Sequence, residues 1–529
     1  MSRSGSLGFR QSYGSTPSGT VSGGAVAQMV QVGIVDAHLT GGKADYSFFR
    51  SRIKIHNNFG IETIAESFLG NVNWGGEVSA TLNKTPDLVT NIFAVIDRPG
   101  IYAVRGNSGS SGSSGSSGCR QNFKRSATRN VPPPLPRRFP TAAAPTKHIK
   151  NLNVQRSEVH PRHKKAAGRV VIEEEDEDED ETVPSELFWE ENEEEGSEYE
   201  SGEDADAPYA HWVNSLGHAA IARTSISLAG ILGQMLTGRF ISAWAELTGT
   251  CGKEQDSMIG AYGSLKELIE ASKKDERLYV QLPFTFTRFT GRCLPLVSMR
   301  FHAASVSLAL MPLNKLIKVS HPDVTVLKTS DGQPISKADV EAHLDVTAVF
   351  LDLEERKRFA KGEFQMLWEQ LQMHEATYKG STIRAPLNFS HPSRCLMFMI
   401  QRKELEDQNE TFEYGCEEPD EDPVQFAKLI VNTTARFARE GAFFRKVVPF
   451  QHCPRTLKRN RYIYVMAFGL SIDGENTDGT LNFSRCDNCS LNLELHPSLS
   501  DDPVTLYVYD FSINVAGFKR GLSQILYQG

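Results

Sequence analysis

The stretch GTLNFSRCDNCSLNLEL, residues 479–495, supports two readings at once. Its Cys486-x-x-Cys489 spacing serves zinc ligation and thiol redox chemistry, while its tail alternates apolar and polar residues as a half-buried strand does. Residues three apart on a strand point to opposite faces, so both thiols reach one ion only if the chain turns between them. Ser484, Asp487 and Asn488 are turn formers and place a turn there. Zinc then needs two further ligands, and no second Cys/His pair follows at ribbon or finger spacing. His452 and Cys453 are nearest in sequence but belong to a separate segment. Cys489 is in phase with Leu491, Leu493 and Leu495, which predicts a turn feeding a strand with one buried face, Cys489 included.

The same period of two recurs along the chain. GEVSATLN puts Val78, Ala80 and Leu82 on one face, LPLVSMRF does so with Val297, Met299 and Phe301, and YIYVMAF and PVTLYVYDFSINV continue the pattern. Helical signals are local: ISAWAELTG after Phe240, YGSLKELIEASKK before Leu278, and SKADVEAHL with Ser336 as N-cap. Many short strands and few helices, in two comparable stretches, predict two antiparallel sandwiches or barrels.

Composition agrees with a large folded core. The chain has 529 residues, 40% of them hydrophobic, and no apolar window approaches the 18 or so residues of a membrane span. The N-terminal MSRSGSLGFRQSYGSTPSGTVSGG lacks an apolar signal region and predicts a flexible arm over residues 1–26, with synthesis in the cytosol. Eight scattered cysteines make no disulfide framework. The formal charge of −8 is concentrated in one block. Residues 120–169 hold about 13 Lys/Arg against a single acid, Glu158, and residues 173–206 hold about 20 acids without a base. Preceded by GNSGSSGSSGSSG and VPPPLPRRFP, this block predicts a disordered insertion at about 106–208 within the first folded unit.

Five separated blocks resemble the major capsid protein family of the nucleocytoplasmic large DNA viruses. DAHLTGGKADYSFFRSRIKIHNNFGIETI is similar to the family's opening. Trp212–Val213–Asn214 and Gly217–His218–Ala219 match the segment after its first variable loop. LYVQLPFTFTRFTGRCLPLVSMRFH is similar to its Leu-Pro-Phe and Leu-Pro-Leu strands. VFLDLEERKRFAKGEFQMLWEQLQ resembles the opening of its second jelly roll, and NFSRCDN its Asn-Phe-Ser-Arg-x-Asp-Asn turn. The sequence departs from the family pattern at ILGQMLTGRF, in the long charged block and in the closing AGFKRGLSQILYQG, which marks a divergent member.

The resemblance implies an all-β chain of two tandem antiparallel jelly rolls with a few short helices in loops. The first roll is expected at 27–322, a linker at 323–340 and the second roll at 341–529. It implies a structural role: a homotrimer of pseudo-hexagonal outline that tiles the outer shell of a virion, assembled in the host cytoplasm. The implied partners are neighbouring capsomers, minor capsid proteins and an inner membrane or scaffold. A related double jelly-roll scaffold or minor capsid protein is the alternative, and a β-sandwich carbohydrate-binding module or enzyme a distant one.

No catalytic, cofactor-binding or metal-binding residue is expected, and the remaining motifs have plainer readings. Cys251-Gly252-Lys253-Glu254 lacks the Ser/Thr and the glycine spacing of a phosphate loop. His160 and His163 stand in the charged block without companion ligands, and His218 reads as a satisfied structural histidine. Pro133 to Arg138, PPLPRR, fits an SH3-type ligand but reads first as a spacer. The basic run lacks aromatics and is followed by more acid than base, so direct nucleic-acid binding is not expected. Asn83, Asn388, Asn409, Asn432, Asn482 and Asn488 open Asn-x-Ser/Thr triplets, and without a secretory signal they are not expected to meet the usual glycosylation machinery.

Overall fold

Strand pairing in a computed structural model of the chain sorts the alternating segments into four large sheets and two short ribbons. The structure describes residues 57–105, 208–249, 255–416, 418, 421–458 and 460–527. The expected N-terminal arm, the opening block up to residue 56, the charged insertion with Pro133–Arg138, His160 and His163, and Cys251–Glu254 lie outside these residues.

Eight strands build the first roll: β1 (Phe59–Ser67), β2 (Glu77–Thr81), β3 (Leu88–Arg98), β4 (Ile221–Leu228), β5 (Ile231–Leu236), β6 (Glu276–Gln281), β7 (Ala304–Leu310) and β8 (Glu341–Leu351). They pair in the orders β1-β8-β3-β6 and β2-β7-β4-β5. Eight more build the second: β9 (Phe364–Tyr378), β10 (Thr382–Pro386), β11 (Pro392–Arg402), β12 (Val424–Val431), β13 (Thr434–Glu440), β14 (Tyr464–Ala467), β15 (Cys489–Leu495) and β16 (Val504–Lys519). Their orders are β9-β16-β11-β14 and β10-β15-β12-β13. Each strand of the second roll holds the place of the strand eight before it, and two facing sheets in this order are a jelly roll.

The duplication extends to the turns. β4 and β5 are joined by Ala229-Gly230, and β12 and β13 by Asn432-Thr433, all four with positive φ. That is the two-residue type I′ geometry, whose twist matches the strands it joins. Burial follows the alternation: Val78 and Ala80 of β2 and Leu82 just after it are buried, as are Leu491, Leu493 and Leu495 in β15. β16 departs from it, because Val504–Gly517 is buried on both faces except for half-buried Val515.

Two expected helices are present. In α1 (Gly238–Thr248), Thr237 caps the start by accepting from the Phe240 N–H at 3.2 Å, and Phe240, Ile241, Trp244 and Leu247 form the buried stripe. α2 (Leu265–Ser272) is capped by Ser264, which accepts from the Glu267 N–H. Among the described residues no helix is long and apolar enough to cross a membrane.

Three expectations are corrected. LPLVSMRF is not a strand: Leu294 bridges Val89, but Pro295 has no N–H to continue a ladder, and Leu296–Ser298 coils into a 3₁₀ turn that leaves Phe301 exposed. SKADVEAHL is not a helix. Asp339 Oδ2 accepts from the Ser336 N–H and hydroxyl at 2.6 and 2.9 Å, which closes a turn, and the chain then runs straight into β8. β8 pairs with β1 and β3, so it closes the first roll; the boundary expected at 341 moves to α3 (Leu353–Lys361). The stretch expected as a linker holds Val324–Lys328, which pairs with Ile101–Arg105.

Candidate functional site

Cys486 and Cys489 do stand on a turn, since Phe483–Arg485 is a 3₁₀ turn capped by Asn482 and Cys489 opens β15. Cys486 Sγ donates to the Asn482 carbonyl at 3.2 Å, and both cysteines pack against the core as free thiols. Burial, with Cys486 alongside, pushes the Cys489 thiol up to about 12, which holds it protonated and a poor nucleophile. His452 is occupied with the Leu470 carbonyl at 3.0 Å, and burial pushes Cys453 up to about 12 as well. Among the described residues, none of the four belongs to a group of three ligand side chains close enough to share an ion.

One such group exists among the described residues, Glu418, Glu421 and His496, which sequence spacing does not suggest. His496 Nδ1 accepts from the Ser498 N–H at 3.3 Å, so the ring proton sits on Nε2 and points at Glu421 Oε2, 2.6 Å away. The arrangement is a hydrogen-bonded turn cap in which His496 joins Ser498 to Glu421.

His218 is buried as expected, but neither ring nitrogen has a protein partner. Burial pushes its pKa down to about 4. Of the Asn-x-Ser/Thr asparagines, Asn409 spends its amide on the Asn314 and Ile317 carbonyls, and Asn432 Oδ1 accepts from the Asp487 and Asn488 N–H groups.

The most elaborate arrangement is one that no sequence motif announces, where the two rolls meet. Glu369 on β9 is 1% exposed and receives Arg288, Arg292 Nη1 at 2.8 Å and Arg394 Nη1 at 3.6 Å. Arg288 also pairs with Asp473, while Arg394 and Arg292 reach the Gly474 carbonyl at 2.8 and 3.3 Å. The guanidinium of Arg288 lies 4.6 Å from the Trp244 ring centre, and α1 lays Phe240 and Trp244 on Tyr509 and Phe511 of β16 at 5.5 and 4.7 Å. Next to Glu369, the Trp368 indole donates to the Gly233 carbonyl at 2.9 Å, so close that a Cβ on residue 233 would lie 3.1 Å from its ring. Arg239 crosses from α1 to Gln401 and the Thr411 carbonyl at 2.8 and 2.7 Å. Most of these groups pair with one another across the two rolls, although Arg288 Nε and Arg394 Nε are buried without a partner among the described residues, and such cross-pairing fixes geometry.

Asp510, on β16, has its carboxyl pushed up to about 8 by burial. A carboxyl whose folded pKa lies above the unfolded value binds more protons when folded, so stability falls as pH rises from about 4 through 8. His218 acts on the other side: its depressed pKa removes stability as pH falls from about 6.5 to 4. Thermal unfolding between pH 6 and 9 is expected to show a decline for the native chain that Asp510→Asn flattens; equal slopes for the two would contradict the assignment.

Comparison with known proteins places these features. A family model described as "Large eukaryotic DNA virus major capsid protein" matches residues 355–521, and one described as "Major capsid protein N-terminus" matches 47–107 and 193–352, passing over 108–192. "Probable capsid protein 4" of Acanthamoeba polyphaga mimivirus is 20% identical over 93% of this chain and 96% of its own length. The "Major capsid protein" of Frog virus 3 (isolate Goorha) is 24% identical over 54% of this chain and 67% of its own. A quasi-atomic model of the PBCV-1 virus capsid superposes with a TM-score of 0.61 at 17% identity, over 91% of this chain and all of that one.

Proposed function

The chain belongs to the major capsid protein family of large eukaryotic DNA viruses, and from that membership we propose that it trimerises into pseudo-hexagonal capsomers that tile the outer shell. The observation that carries this reading is the strand-for-strand duplication within one chain. Two equivalent rolls per chain turn a three-fold trimer into a ring of six nearly equivalent bodies, and such a ring packs laterally as hexagons do. The ion-paired and aromatic roll-to-roll contact supports it too, because a tile must hold its two halves at one angle.

Minor capsid proteins and an inner membrane or scaffold are the proposed partners, with assembly in the host cytoplasm. The charged block at 106–208 is proposed as an insertion beyond the common fold, which the interrupted family match at 108–192 supports. The relatives are structural proteins, and in this reading Glu369 and its arginines serve rigidity rather than catalysis. Sedimentation of the purified chain is expected to give a particle of about three times 58.7 kDa. A monomer at high concentration would overturn the proposal.

A further inference from the structure

The second roll copies the first, yet one contact of the first has no counterpart among the described residues. α1 follows β5 directly and opens at Gly238, where a Cβ would overlap the carbonyl oxygens of His218 and of Ile221, the first residue of β4. The helical stretch after β13 opens in the same way at Gly441, where a Cβ would overlap the carbonyl of Val424, the first residue of β12. Its π-helical turn Phe443–Val447 and α-helical turn Val448–His452, together α4, therefore stand where α1 stands, pinned by glycine to the start of the matching strand.

α1 is used inside the chain: its Phe240 and Trp244 cover the outer face of β16, on Tyr509 and Phe511. On α4, Val447 and Phe450 are instead 38% and 76% exposed, and with Leu457 they line a groove edged by Lys446 and Lys458. The strand of the first roll that matches β16 is β8. Leu344, Val346 and Ala348 of β8 face the core, so Asp345 and Thr347 lie on its outer face, in register with Ala65 and Thr63 of β1, while Val349, opposite Ile61, is itself buried. Ile61 is 63% exposed there, and Tyr279 on β6, across the same sheet, is 37% exposed. Charge agrees as well as shape: the helix side carries Lys446 and Lys458, with no acid anywhere from 441 to 472, whereas Asp345 lies on the receiving face.

We propose that α4 of one copy seats on the β1–β8 face of the next copy, repeating between chains the contact that α1 and β16 make within one. The inference rests on the trimer proposed above. Three such contacts, alternating with three internal ones, close a ring of six rolls, which is the heterologous closure a cyclic trimer needs. It names the surfaces: Val447 and Phe450 on one side, Ile61 and the outer residues of β8 on the other.

The test uses the full chain with Phe450→Asp and, separately, Ile61→Asp, each at the centre of its surface and at an exposed position. Both are expected to weaken association at least tenfold, giving monomer mass where the native chain sediments as a trimer, with melting unchanged. A Val447→Cys/Ile61→Cys pair treated with diamide is expected to give covalent dimers and trimers, and each single substitution none beyond the native chain. A native trimer that survives both aspartates, or a cysteine pair that yields no covalent oligomer, would overturn the interface while leaving the trimer standing. The same holds if Ile61→Asp lowers melting and spares the trimer, which would mean that another part of the same chain covers β1. A native chain that is itself monomeric would overturn the underlying reading instead.

Discussion

Replacing Glu369 by Ala is expected to cost about 3–5 kcal/mol of folding stability, read as a lower denaturant midpoint at unchanged slope. Its side chain is 1% exposed and faces Arg288, Arg292 and Arg394, themselves 7%, 5% and 1% exposed. Removing the carboxylate leaves buried guanidinium groups with Asp473 as the remaining anion and the Gly474 carbonyl as a partial acceptor. An uncompensated buried charge is far more costly than the intact network is stabilising, because desolvation of the arginines is no longer offset. Glu369→Gln keeps the shape and loses the charge, so it is expected to move the midpoint in the same direction by less. A loss below about 1 kcal/mol for the alanine variant would place the network among solvent-relaxed pairs and remove it as the clamp between rolls.

Trp368→Ala is expected to cost a similar amount, about 3–5 kcal/mol, for a different reason. The indole is fully buried, stacks near Phe286 with ring centres 6.2 Å apart and fills the space under the Gly233 backbone. Truncation leaves a cavity at the junction of β9 and β5 that rigid sheets on both sides cannot collapse into. Trp368→Phe retains the packing and loses the 2.9 Å bond to the Gly233 carbonyl, a loss of about 1–2 kcal/mol. Since Trp368 and Glu369 are adjacent in one interface, their losses are expected to fall short of additive in the double variant. Full additivity would mean that the aromatic and ionic halves of the junction act independently.

The period of two made most strands legible, and the turn at Ser484–Asn488 marked the start of β15 in advance. Partner choice was not legible, because alternation says which face is buried but not against which strand. That is why β8, which follows the linker-like SKAD turn, read as the opening of the second roll when it closes the first. Ser336 and Asp339 carry the local chemistry of a helix cap, and here the sheet overrides it. The roll junction was hidden for a related reason. Arg288, Arg292, Glu369, Arg394 and Asp473 come from four separated segments, and no spacing rule joins them. Two faint signals were present: an acid directly after the apolar run Met366-Leu367-Trp368, and Asp510, Ser512 and Asn514 in a strand buried on both faces. Polar residues at such positions are kept only when partners are waiting. His218 shows the converse, a residue placed correctly in the interior whose two nitrogens find no protein partner.

The most direct measurement is electron microscopy of the purified full-length chain with averaging of single particles. The account predicts a three-fold particle with six upright β-sandwich densities in a ring of nearly hexagonal outline, two from each chain. Single chains, or three-fold particles whose two rolls per chain do not alternate around one ring, would contradict it.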